Sequence, residues 1–198
     1  MTPKQKMLAG LPYDPVDPEL DEDRMRSQSL CQALNALSPR DEAARLRVLA
    51  ELVGRPVDAI IRSPFFCDYG YNLEIGAKVF INVNCVVLDT YRVSIGDRTL
   101  LGPNVQLLAA LHPMDVAERR TGIESGRPVT IGEDVWLGGG VIVCPGVTIG
   151  PGTVVGAGSV VTRSLPANVF AAGNPCRVVR RLDGGIESGV QPVDPPGS

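Results

Sequence analysis

The chain has one histidine, His112, in the stretch Leu111-His112-Pro113-Met114-Asp115. Imidazole titrates near neutral pH and suits the work of a general base toward a hydroxyl, which is a poor nucleophile until it loses its proton. One imidazole does not make a zinc centre, which needs about three around a single ion, so no metal is expected. The five cysteines, Cys31, Cys67, Cys85, Cys144 and Cys176, are scattered with no CxxC pair. They read as free thiols of a reducing cytosol. No Walker or Rossmann glycine pattern occurs, although Ile-Gly pairs are frequent.

Those pairs belong to the element that must position His112. From Ile131 the chain runs in hexads whose first residues are Ile131, Leu137, Val143, Ile149, Val155 and Val161. Glycine follows at Gly132, Gly138, Gly150 and Gly156, and the same signature occurs earlier at Ile75-Gly76, Ile95-Gly96 and Leu101-Gly102. A hexad supplies one short strand and one bend: the aliphatic residue points inward, and the bend takes a residue without a side chain. Such a repeat stacks as a parallel β-helix with coils about 4.8 Å apart, each burying its aliphatics against its neighbours. His112 lies where the register breaks. Residues 109–127 have no aliphatic first positions and must leave the prism as a loop, and solenoid insertions of this kind often form the binding face.

The 198 residues fit one domain with an appendage, with 44% hydrophobic residues, 5% aromatic and a net charge of −3. Few aromatics suit a narrow interior of Val, Ile and Leu. The lack of a basic run excludes nucleic acid as a partner, and no apolar run is long enough to span a membrane. The N-terminus lacks the apolar core of a signal peptide, so the expected location is cytoplasmic. Residues 1–56 carry charge clusters and no hexads. A helix is predicted over Asp17 to Leu37, with Leu30, Ala33, Leu34 and Leu37 as its stripe. Ser38 then reads as the cap of a second helix, with Pro39 at its first position, Asp41 at its third, and Gly54 as its stop. This gives a helical unit over 1–56, a β-helix over 57–182, and a Gly/Pro-rich tail over 183–198 expected to be disordered. After Leu165 the chain is expected to leave the coils.

These stretches together are similar to the maltose and galactoside O-acetyltransferases of the hexapeptide acyltransferase superfamily, a group that includes nodulation-factor acetyltransferases. The resemblance rests on KMLAG near the start, CDYGYN at 67–72, INVNC at 81–85, LDTYRVSIGD at 88–97 and LGPNVQLLAALHPMD at 101–115. It continues through GRPVTIGEDVWLGGG at 126–140, PGVTIG at 145–150, VGAGSVVT at 155–162 and AGNPCRVVR at 172–180. The resemblance implies a left-handed triangular prism with three hexads per coil, a homotrimer, acetyl-CoA as donor, and a site between adjacent prisms. His112 matches the family's catalytic histidine, implying direct acetyl transfer to a hydroxyl without an acetyl-enzyme.

Further roles follow from the same resemblance. Glu124 is the candidate for orienting His112, or else a solvated loop carboxylate. Asn82 and Asp68 match acceptor contacts, although Asn82 also reads as a turn residue. Asp89 is a weaker acceptor candidate, because one branch has a second acid where this chain has Thr90. That branch's N-terminal acid falls on Pro15, which leaves Asp14 and Asp17 as alternatives. Gly139 supplies a backbone N–H for the oxyanion. Ala157, Thr162 and Arg163 match positions along the donor's pantetheine and adenine, and Arg177 and Arg180 those near its phosphates, where guanidinium groups are well suited. Trp136 lines the cleft or packs between subunits. Other classes are a zinc enzyme of the γ-carbonic anhydrase type, which one histidine disfavours, and a non-catalytic scaffold, which need not carry His112, Asn82 and the arginines together. Among enzymes, an antibiotic or amino-acid acceptor is the alternative to a sugar.

Overall fold

The computed structural model describes residues 1–182. The tail expectation over 183–198 lies outside the described residues. Parallel strands build a three-faced solenoid. The first face stacks Ala59–Ile61, Val79–Ile81, Leu100–Leu101, Trp136–Leu137, Val154–Val155 and Val169–Ala172, and Arg177–Arg181 adds to its end antiparallel. The second face stacks Phe65–Cys67, Cys85–Leu88, Gln106–Leu108, Ile142–Val143 and Val160–Val161. The third holds Leu73–Ile75, Val93–Ile95, Val129–Ile131 and Thr148–Ile149.

Register explains the hexads. Ile81, Leu101, Leu137 and Val155 align along the first face, and all four are buried. Val87, Leu107, Val143 and Val161 do the same on the second. The glycine after each aliphatic serves close approach between coils: a Cβ on Gly96 would lie 2.5 Å from Glu133 N. The left-handed residue falls two places later, where Asn104 (φ 60°) and Asp134 (φ 55°) serve as well as Gly140 (φ 70°). Asparagine and aspartate tolerate that conformation better than most residues.

Three helices close one end: α1 (Pro3–Leu8), α2 (Pro18–Ala36) and α3 (Glu42–Val53). Asp17 caps α2 by accepting from Glu19 N, and Gly54, at φ 73°, ends α3. Two sequence expectations need correction. Asp41 is itself the cap of α3, accepting from Ala44 N at 3.0 Å, while Ser38 accepts from Arg40 N in the preceding turn. The buried stripe of α2 is Leu20, Ser27, Cys31 and Leu34, and Ala33 is exposed. Cys31, Leu34, Leu49 and Leu52 join Phe65 and Leu73 in one core with the coils, so the helical unit packs on the prism.

The far end also differs from expectation. Leu165 bridges to Ile149, and Val169–Ala172 pairs in parallel with Val154–Val155. The coils therefore continue to Ala172. Leu165 follows Val161 by four residues instead of six, and Asn168 takes the left-handed corner at φ 54°, which disguises the repeat.

Ala109 is still fully buried in the coil core, and the chain leaves the prism after it. Ala110–Leu111 pairs antiparallel with Ser125–Gly126, and a short helix, α4 (Val116–Arg119), occupies the tip. Among the described residues no helix is long and apolar enough to cross a membrane.

Candidate active site

His112 stands at the base of this excursion with its side chain 59% exposed, its Nε2 lying 4.0 Å from Glu124 Oε1. That distance is an approach and not a hydrogen bond. Glu124 is better enclosed, at 13%. Its Oε2 accepts from the Tyr13 hydroxyl at 2.7 Å. Tyr13 and Glu124 also exchange backbone bonds, Tyr13 N to Glu124 O at 2.9 Å and Glu124 N to Tyr13 O at 3.1 Å. Sequence reasoning missed Tyr13, whose partner is more than a hundred residues away.

Asp68 lies in the corner between the second and third faces, the edge from which the His112 excursion leaves. Its carboxyl is pushed up to about 7, first by burial, then by the neighbouring charges of Asp89 and Glu124, with Arg24 opposing. A raised acid favours the neutral form in the fold. The stability it contributes is full below the unfolded value near 3.8 and is lost as pH rises to about 7. Asp68→Asn is therefore expected to raise the melting temperature relative to wild type by a few degrees more at pH 8 than at pH 4.5. A difference independent of pH, read by scanning calorimetry at both values, would contradict this.

The expectation that Asp89 touches the acceptor is corrected. It is 0% exposed. One carboxylate oxygen accepts from Asp68 N and Tyr69 N, the other from Gly70 N. Asp89 holds the CDYGYN corner in shape, and Asn72 donates to its carbonyl from below. Beside it the Thr90 hydroxyl is buried without a partner among the described residues. Asp14 and Asp17 are both occupied locally, accepting from Val16 N and Glu19 N.

Thr162 and Arg163 follow the strand Val160–Val161 on the same edge as Asp68, and both are exposed. The remaining candidates lie elsewhere. Asn82, Gly139 and Ala157 occupy corners between the first and second faces. Asn82 Oδ1 accepts from Val83 N at 2.9 Å, as a turn residue would, and its amide nitrogen has no acceptor among the described residues. The Gly139 N–H has no acceptor among the described residues, while its carbonyl accepts from Gly158 N. Trp136 is 53% exposed on the outside of the first face. Its column continues through Val154 and Phe170 to Arg180. A bulge opposite Phe170/Ala171 brings Arg177 and Arg180 to one side, since their partners Ala172 and Phe170 are two residues apart.

One chain thus carries two separate groups of site residues. His112, Glu124, Asp68, Thr162 and Arg163 share one edge; Asn82, Gly139, Ala157, Trp136, Arg177 and Arg180 share the next edge and the face beyond it. The second face lies between them, its strand Cys85–Leu88 spanning roughly 13 Å at the usual rise. The outward residues of the faces also differ. Ile60, Phe80, Leu100, Trp136, Val154 and Phe170 form an apolar column on the first. The second presents Phe66, Val86, Gln106, Ile142 and Val160, whereas the third presents Glu74, Ser94, Thr130 and Thr148. Among the described residues, no three of His, Cys, Asp or Glu are grouped so as to hold a metal ion.

Parallel coils of hexads, a helical cap and a histidine-bearing excursion define a capped hexapeptide-repeat solenoid. Residues 6–56 match the family model "Maltose acetyltransferase hexapeptide capping motif", and residues 128–163 match "Bacterial transferase hexapeptide (six repeats)". Nodulation protein L of Rhizobium meliloti is 47% identical over 89% of this chain and 97% of its own length. The crystal structure of a maltose O-acetyltransferase from Clostridium difficile superposes with a TM-score of 0.90 at 43% identity, covering 93% of this chain and 99% of that one. A hexapeptide-repeat acetyltransferase of Vibrio cholerae, solved in complex with acetyl coenzyme A, gives 0.86 at 36% identity, covering 93% and 100%. The chain belongs to the hexapeptide-repeat acetyltransferases that carry the maltose-acetyltransferase cap.

Proposed function

We propose that this protein transfers the acetyl group of acetyl-CoA to a hydroxyl of a sugar or sugar-like acceptor, as a cytoplasmic homotrimer whose sites lie between subunits. The observation that carries the reading is the division of the site residues between two regions of one prism. His112 and Asp68 lie at one edge of the prism, while the Gly139 N–H, without an acceptor among the described residues, and the arginines lie at the next edge and the face beyond it. Two different, largely apolar faces on each chain suit a head-to-tail contact that closes into a ring. The resemblance to sugar acetyltransferases supplies the number three and the acceptor class.

In the groove His112 takes the proton of the acceptor hydroxyl as its oxygen attacks the thioester carbonyl carbon. Asp68 and Asn82 hold the acceptor. Negative charge then develops on the carbonyl oxygen, where the Gly139 N–H donates. The carbon–sulfur bond breaks, and His112 returns its proton to the departing thiolate. Holding both substrates in one complex supplies much of the acceleration.

The test is a thiol-release assay with acetyl-CoA across a panel of mono- and oligosaccharides, with serine and aminoglycosides as the non-sugar arm. Sugars are expected to give the highest kcat/KM. Turnover confined to the non-sugar arm would replace the acceptor class. For the donor, Arg177→Ala/Arg180→Ala is expected to raise KM for acetyl-CoA several-fold with kcat and sugar KM near wild type, because phosphates lie far from the reacting carbon. The effect is expected to shrink with added salt. An unchanged acetyl-CoA KM would mean that the donor is anchored elsewhere.

A further inference from the structure

The helical cap makes a contact at the candidate site that the reaction scheme leaves unused. Tyr13 belongs to the segment between α1 and α2, far from His112 in sequence, yet its residue is only 2% exposed. Its ring packs with Met7, Leu20 and Tyr69. Three hydrogen bonds tie it to Glu124: the phenol to Oε2 at 2.7 Å and a reciprocal pair of backbone bonds. Residues 113–122, which lead from His112 toward Glu124, are mostly exposed, and they hydrogen-bond locally, within the stretch and to Ile123. Tyr13 therefore ties the Glu124 end of the excursion to the helical cap, beside the pairing of Ser125–Gly126 with Ala110–Leu111.

We infer that Tyr13 is a positioning residue for the reaction proposed above, fixing the Glu124 carboxylate so that Oε1 is presented to the His112 imidazole. The inference rests on that reading for its kinetic consequence only. The geometry is specific at the level of atoms. With Oε2 held by the phenol, the carboxylate cannot rotate about its last torsion without breaking a short charge-assisted bond. The free oxygen is then the one that faces His112 Nε2. A shift of about 1 Å would bring the two within hydrogen-bond distance. Burial, followed by the bond to Glu124, pushes the Tyr13 phenol well above its ordinary range. It keeps its proton throughout the working range and donates it to Glu124 Oε2. The hydroxyl thus sets the direction of a carboxylate, which in turn sets the direction of a base.

The experiment uses Tyr13→Phe, which keeps the ring and its packing, alongside Glu124→Ala and the double variant. Turnover of Tyr13→Phe is expected to fall about tenfold, the scale of losing one charge-assisted hydrogen bond, with KM for acetyl-CoA within twofold of wild type. In the Glu124→Ala background the Tyr13 substitution is expected to cost nothing more, since residues acting through one another are not additive. A second readout needs no substrate. His112 is the only histidine, so in untagged protein all imidazole ¹⁵N and ¹³C resonances report on it. Tyr13→Phe is expected to move these resonances in the same direction as Glu124→Ala, with no further movement in the double variant. Resonances at wild-type positions in Tyr13→Phe but displaced in Glu124→Ala would overturn the inference, as would losses in turnover that multiply. Failure of the proposed acetyl transfer would instead appear in the wild-type protein as absent thiol release, with the spectra unaffected.

Discussion

Replacing His112 by alanine is expected to lower kcat by about 10²-fold or more, the usual contribution of a positioned general base. KM for acetyl-CoA should stay near wild type. The imidazole is 59% exposed, so its loss should not perturb the prism. It is also the sole histidine, which leaves no second imidazole to substitute for it. A variant that retains half of wild-type turnover would remove His112 from the mechanism. Added imidazole offers a control: partial recovery of rate would show that proton transfer, and not shape, was lost.

The second large effect concerns mixing. Asn82→Ala protein and His112→Ala protein are each expected to be nearly inactive alone. Co-expressed in equal amounts, they should recover about a quarter of wild-type turnover. The reason is combinatorial: in randomly mixed rings about one site in four joins an intact His112 edge to an intact Asn82 corner on the next subunit. The gain over either parent would be tens-fold. It follows directly from the second face standing between the two groups within one chain. Mixed protein no more active than the better parent would place the whole site on a single chain.

Much of the fold could be read from the chain because the hexad is a local code. The residues Ile131 to Val161 announce inward positions one by one, and the structure aligns them face by face. The code fails where its length changes. Leu165 comes two residues early, so the last coil through Val169–Ala172 was hidden. The role of glycine was only partly visible. The pattern marks where coils approach closely, while the left-handed corner two residues on accepts Asn, Asp, Lys and Arg and leaves no single-letter trace. On α2 the stripe was read one phase off, because the buried Ser27 is polar and the exposed Ala33 is apolar.

The site was legible where a residue type is rare. His112 stands out as a singleton, and the break in register marks its loop. Asp89 shows the opposite case. An acid in a motif suggests recognition, yet three converging N–H groups make it a structural anchor. Such convergence exists only once the chain has turned the corner. Tyr13 was invisible for a similar reason, since its partner lies 111 residues away and no local pattern encodes the pairing.

The column from Trp136 to Arg180 has one more property. Each step along it is the height of one coil, about 4.8 Å. Point substitutions can alter what lines the column but cannot stretch it by a fraction. Its length changes only when a whole turn of the solenoid is gained or lost. The prism is therefore graduated like a rule, and the span it offers a long, thin molecule lying along it is fixed in whole divisions, independently of the chemistry at either end.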